Sequence, residues 1–334
     1  MRTTRFTWVH SVALFAMLSG ALPAFSQSTD SQRWFRVELM IFSHESANAG
    51  SAERWDPAPP LAYPKTGRFL IDEAQIEKNQ RAYPDGESSL DARGVQTINL
   101  ALETAAASDI PRQQTVDSGT DNGAGQADTS VQQAPLTPAA FTPRPLSELE
   151  FRGKAAYMQR TGRFKTLFHQ TWLQPMRSEE QALPIIIDRS GDQQSWPRLQ
   201  GSVKFYLSRY LHIQTNLWLN TTGDYLPAQW TMPAPPMGPP SLIIIEPPSA
   251  TSDNYYVSET APSVDEAGMP MTVASGPVYP WRHAILMDQK RRMRSNEVHY
   301  IDHPMLGIVV KILPVSAEEL EDIALADAEK EEAR

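Results

Sequence analysis

The chain predicts an α+β fold: a mainly antiparallel sheet of about five strands, one long helix packed on a face, and two low-complexity insertions. Three stretches carry this expectation. Trp34 to Phe42, WFRVELMIF, alternates Phe35, Val37, Leu39 and Ile41 with Arg36 and Glu38, and its apolar density calls for neighbours on both sides. Leu199 to Asn220 is the longest period-2 pattern in the sequence. Leu146 to Met176 places Phe151, Ala155, Met158, Gly162, Leu167, Phe168 and Trp172 at helical spacing behind a Ser147/Glu150 capping box, with Pro175 as the stop.

In chain order, residues 1–26 read as a secretory signal peptide. Arg2 and Arg5 start it, Val12 to Leu18 is its apolar run, and Ala24 and Ser26 are the small residues before a cleavage point at Gln27. Ser19, Gly20 and Pro23 cut the run short of a membrane span. Residues 27–314 then form a single α+β domain, interrupted by a disordered stretch at 104–145 and an irregular one at 221–280. The first is poor in large aliphatic side chains; the second is rich in proline, with Leu242 to Glu246 able to pair as a small strand. Gly162 marks either close packing or a break in the long helix. Leu183 to Asp188 is a short buried strand.

Within 199–220, Val203, Phe205, Leu207, Leu211, Ile213, Leu217 and Leu219 share the apolar face. Arg209 falls on that face, where a bend or bulge is expected and a buried guanidinium would need an ion-pair partner. Met293 to Leu313 reads as a strand, an Asp302-His303-Pro304 turn and a β-branched second strand. Residues 315–334 form an acidic tail with eight acids and two bases, able to make a frayed helix with little to pack.

Composition narrows the function. The 334 residues include no cysteine, which excludes disulfides, thiolate metal sites, a cysteine nucleophile and a lipidated N-terminal cysteine. The net charge of −9 argues against a general nucleic-acid binder. A metal site from His212, His299, Asp302 and His303 has suitable ligand types but fits no helical or loop spacing for a metal. Ser295 and Ser208 lack a nucleophile context, and no Gly-rich loop cradles phosphate. No cofactor is expected.

A surface remains. The even face of 204–218 carries Tyr206, Tyr210, His212 and Trp218, and the closing unit adds Arg291, Arg292, Arg294, His299 and Tyr300. Rings beside donors suit glycans, and guanidinium forks suit carboxylates. The opposing expectation is that the 146–176 helix covers these rings.

WFRVELMIF, the segment TLFHQTWLQP, the strand LQGSVKFYLSRYLHIQTNLWL and the closing RRMRSNEVHYIDHPMLGIVVKI together resemble the CsiV family, over roughly 33–60, 146–220 and 281–314. The resemblance implies a periplasmic, non-enzymatic peptidoglycan-binding protein of cell-shape integrity. It also implies support for a class A penicillin-binding protein through its outer-membrane lipoprotein activator, LpoA. It supplies no catalytic residues. Two other classes stay open from the residues alone: a periplasmic hydrolase, metal- or carboxylate-dependent, and a protein-interaction module without affinity for wall.

Overall fold

Strand β1 (Trp34–His44) lies inside a four-stranded sheet in the computed structural model, which describes residues 33–45, 53–100, 137–247 and 277–332. Its neighbours are β4 (Phe164–Pro175) and β11 (Leu306–Val315), both antiparallel, and β10 (Val298–Asp302) pairs on the far side of β11. A second four-stranded sheet runs β5 (Ile185–Ile186), β6 (Leu199–Leu207), β7 (Leu211–Thr221) and β9 (His283–Met293). Val37, Leu39 and Ile41 of the first sheet and Val203, Phe205, Ile213, Leu217 and Ile285 of the second form one buried cluster, so the sheets pack face to face. Trp172 reaches between them, edge-on to Phe205 with ring centres 5.9 Å apart. Each such side chain contributes roughly 1.5–3 kcal/mol by leaving water.

A third sheet is small and mixed. β2 (Glu87–Leu90) pairs antiparallel with β3 (Gln96–Asn99), which pairs in parallel with β8 (Leu242–Ile245). Helix α1 (Glu73–Ala82) starts on Asp72, whose side chain accepts from the Gln75 N–H. The helix buries no residue of its own and is tied down by polar bonds: the Gln96 amide donates to the Ile76 carbonyl at 3.2 Å, and Asn79 donates to Gln96 at 2.7 Å.

The expected long helix over 146–176 is overturned, and with it the single five-stranded sheet. Residues Leu146–Glu148 make one 3-10 turn, and α2 (Arg152–Arg160) is the only part that is α-helical. Gly162 ends it at φ +70°, a left-handed value that glycine takes freely. From Phe164 the chain is strand β4. Phe164, Phe168 and Trp172 are four apart, a spacing that matches a helix turn and also twice the strand period, so the pattern alone does not separate the two. The start of α2 is held by Glu38 rather than by Ser147. Its carboxylate accepts from the backbone N–H groups of Glu150 and Phe151, both at 2.9 Å, and contacts His169 Nε2 at 2.8 Å. Burial pushes the Glu38 pKa up, but His169 and the two N–H groups outweigh it and hold it below the usual carboxylate value.

The expected long strand over 199–220 is a hairpin. Ser208, Arg209 and Tyr210 form its turn, and Leu207 faces Leu211. A three-residue loop keeps odd positions opposite odd positions, so the face assignment survives while Arg209 moves to an exposed tip.

The Leu242 segment pairs as expected, and the closing unit forms β10 and β11. Helix α3 (Ala317–Glu332) occupies the acidic tail and has more to pack against than its composition implied. Leu320 and Ala324 are buried, Asp327 meets Arg144 at 2.5 Å, and Glu319 meets Arg36 at 3.6 Å. The signal-peptide reading, residues 104–136 of the first insertion and residues 248–276 of the second lie outside the described residues.

Gly201 in β6 has φ +116°, and a Cβ there would sit 2.1 Å from the Asn216 carbonyl oxygen of the paired strand. Gly201→Ala is therefore expected to destabilise the protein by about 2–4 kcal/mol, combining backbone strain with overpacking. Urea denaturation reads this directly; an unchanged midpoint would contradict the close β6–β7 approach.

Candidate functional site

Odd positions of β6 and β7, with Ile285, Met287 and Met293 of β9, face the core, so the even positions of these strands form the outer face of the second sheet. The two ends of that face differ. At one end Trp218 is fully buried beneath Tyr63, edge-on at 4.9 Å, and its Nε1–H donates to Gln200 at 3.1 Å. A polar knot closes over it. Asp188 accepts from Tyr63 Oη at 2.8 Å, from Ser190 N and Oγ at 3.0 and 2.6 Å, and from Gly201 N at 2.9 Å. These donors satisfy a buried carboxylate without a counter-cation. Burial and the adjacent Asp188 charge push the Tyr63 phenol up, which keeps it a proton donor.

At the other end the face carries cations and rings. The register places Tyr206 opposite His212 and His212 opposite Arg292, with Lys204, Gln214 and Lys290 in the next row. The Tyr206 and His212 rings stack 4.8 Å apart and 9° from parallel, while Lys204 and Lys290 lie 5.7 and 5.2 Å from the Tyr206 centroid. Tyr210, at the hairpin tip, has Arg292 4.7 Å and Arg209 5.5 Å from its centroid. His212 Nδ1–H donates to the Tyr210 carbonyl at 2.9 Å, which fixes the ring. Glu179 meets Lys290 at 2.8 Å, and this bond pushes the lysine pKa to about 12. Lys290 therefore stays charged throughout the neutral range.

Of the residues expected from sequence, Tyr206, Tyr210, His212 and Arg292 converge here. Trp218 shares the face but is sealed. Arg291 points to the opposite side of β9, in register with Ile213, and lies 3.3 Å from Gln289. Arg294 pairs with Glu297 at 3.4 Å beyond the end of β9, and His299 Nε2 accepts from the Arg294 backbone at 3.0 Å. Tyr300 is in the first sheet, stacked 6.4 Å from Phe42 with its hydroxyl donating to Asp302 at 2.6 Å. The helix expected to cover the rings does not: α2 packs on the other sheet, against Met40 and Phe42.

Lys204, Lys290 and Glu179 were not among the expected site residues. A hairpin reading of 199–220 would have aligned Lys204 with Gln214, and the basic run of β9 with both. The metal alternative finds no support in the geometry. His303 lies against Trp55 with centroids 5.6 Å apart, Asp302 holds Tyr300, and His212 and His299 have the backbone partners given above. Among the described residues no group of three or more His, Cys, Asp or Glu side chains is placed to hold a metal ion.

Face-to-face sheets with a cation-and-ring ladder on one outer face define an α+β protein with a candidate binding surface. The family model described as "Peptidoglycan-binding protein, CsiV" matches residues 11–315, and the chain belongs to that family. No curated protein and no solved structure matches it. Among the described residues no helix is long and apolar enough to cross a membrane.

Two histidines away from the ladder make stability depend on pH. His283 is fully buried, donating from Nε2 to the Asp56 carbonyl at 2.9 Å and accepting from Tyr225 Oη at 2.7 Å. Burial lowers its pKa, and burial likewise lowers that of His303, where Asp302 opposes and His44 reinforces the shift. Below the ordinary histidine pKa of about 6.5 the unfolded chain binds more protons than the folded one, so stability rises with pH there and is lost as pH falls. Glu38, Glu45 and Asp91 have lowered pKa values, so their loss comes only at more acidic pH. The melting temperature is expected to drop between about pH 7.5 and about pH 5.5, and the drop to shrink in His283→Gln. A flat profile for the parent protein would contradict neutral, buried imidazoles.

Proposed function

We propose that the protein is a non-enzymatic periplasmic factor that binds peptidoglycan and supports wall synthesis by a class A penicillin-binding protein through its lipoprotein activator, LpoA. The family match over residues 11–315 carries the reading. The signal-like residues 1–26 support export, and the family resemblance supports the link to the synthase and its activator. In this reading the protein acts by tethering: wall contact holds it in place and raises the local concentration of the activator it engages.

Tyr210, His212, Arg292, Lys204 and Lys290, supported from beneath by the buried Tyr206 ring, are the wall-contacting surface in this proposal. Arg291, Arg294, His299, Tyr300 and Trp218 are left out, because they face elsewhere, pair locally or are sealed.

Co-sedimentation with purified sacculi tests it. The full chain is expected to pellet with sacculi, and pelleting to weaken as salt rises past about 0.15 M. Arg292→Ala is expected to weaken pelleting and Arg294→Ala to leave it unchanged. Equal loss in both variants would move the contact away from the ladder. Parent protein that stays in the supernatant would remove wall binding from the proposal.

A further inference from the structure

The ladder differs from a sugar-stacking platform in what its rings are doing. Tyr206 is only 1% exposed, lies under His212 and has two ammonium groups within 5.7 Å of its centroid. Tyr210 is 42% exposed, but two guanidinium groups already lie within 5.5 Å of its centroid. A pyranose face stacking on either ring would have to displace a cation, losing the cation–π contact and putting nothing charged in its place. The rings therefore act as supports, and the cations are the exposed chemistry.

Those cations are open to an anion. Among the described residues Arg209 and Arg292 are exposed and make no ion pair, and the half-buried Lys204 makes no direct one, feeling Glu179 only at longer range. Lys290 is bound to Glu179, and Asp288 is the other acid on this face of β9. Ring contacts and the paired strands limit how far the side chains wander, so less freedom is lost when a ligand arrives. Gln214, between Lys204 and Lys290 in the register, adds an amide able to donate to an oxygen anion.

We infer that the ladder reads the carboxylates of the wall's peptide component rather than its sugar rings. This rests on the wall-binding reading above and specifies its ligand. A guanidinium fork at Arg292 takes a carboxylate through two parallel N–H···O bonds, and Lys204 and Arg209 supply further positive charge for a second carboxylate on the same peptide. Polymeric display of such peptides converts modest single-site affinity into firm retention on the wall.

The test uses the full chain, intact sacculi and three soluble competitors: peptides released from the wall by an amidase, the stripped glycan strands left behind with the lactyl carboxylates that the amidase frees converted to neutral amides, and anionic phospholipid vesicles. A fourth arm uses sacculi whose carboxylates have been converted to neutral amides. The released peptides are expected to displace the protein, stripped strands and vesicles to leave it bound, and amidated sacculi to bind about tenfold more weakly or not at all. Arg292→Gln and Lys204→Gln are each expected to weaken binding to intact sacculi by about tenfold, and to lose little further on amidated sacculi.

Full binding to amidated sacculi, or displacement by stripped glycan, overturns the inference while leaving wall binding intact. Displacement by vesicles as effective as that by peptides replaces carboxylates with phosphates as the ligand. Absence of binding to intact sacculi removes the wall-binding reading itself, and this inference with it.

Discussion

Trp172 and Phe205 meet edge to face between the two four-stranded sheets, and that shared apolar layer governs the rest of the molecule. Once odd positions of β6 and β7, with Ile285, Met287 and Met293 of β9, are committed to it, the even positions have no choice of face. A one-residue slip would drive lysines and arginine into the core and push leucines into water. The order of the cation ladder is thus inherited from core packing. The same constraint explains β1, whose apolar run is continuous because Val37, Leu39 and Ile41 meet the second sheet while Met40 and Phe42 meet α2.

The two ends of the outer face show how loops decide what a surface can do. Over Trp218, the Tyr63 and Asp188 network excludes solvent and leaves no polar atom to spare. Over Tyr206 the cover is instead the His212 ring flanked by the Lys204 and Lys290 side chains. Aromatic residues of similar appearance in the sequence therefore have unlike roles: one is a structural keystone and another a pedestal for ammonium groups.

The sequence was most readable where burial alone sets the pattern. β1, β10 and β11 follow from alternation, and so does the parity of β6 and β7. Where two periods coincide it misled: Phe164, Phe168 and Trp172 satisfy a helix and a strand equally, and only tertiary pairing with β1 decides. The sheet formed by β2, β3 and β8 was legible only at β8, because residues 73–99 bury little and hold together through Gln96 and Asn79. At the site, Tyr206, Tyr210, His212 and Arg292 could be grouped because one sheet face carries them. Arg291, His299 and Tyr300 could not be sorted from sequence. Their placement depends on how β9 and β10 are divided between different sheets.

The pairing of β1 with β11 joins strands from opposite ends of the described chain. Chain closure of that span must precede any reward from the contact, so the topology belongs to the slow, non-local class of folders. During synthesis from the N-terminus, β1 emerges from the ribosome long before its partner strand β11 exists. Its edge would stay open during that interval, awaiting β11, and so would its two apolar faces until the second sheet and α2 pack on them. Assembly of the first sheet then waits for the end of the chain, and the interval of an exposed β1 edge is when the protein has most need of a holding chaperone.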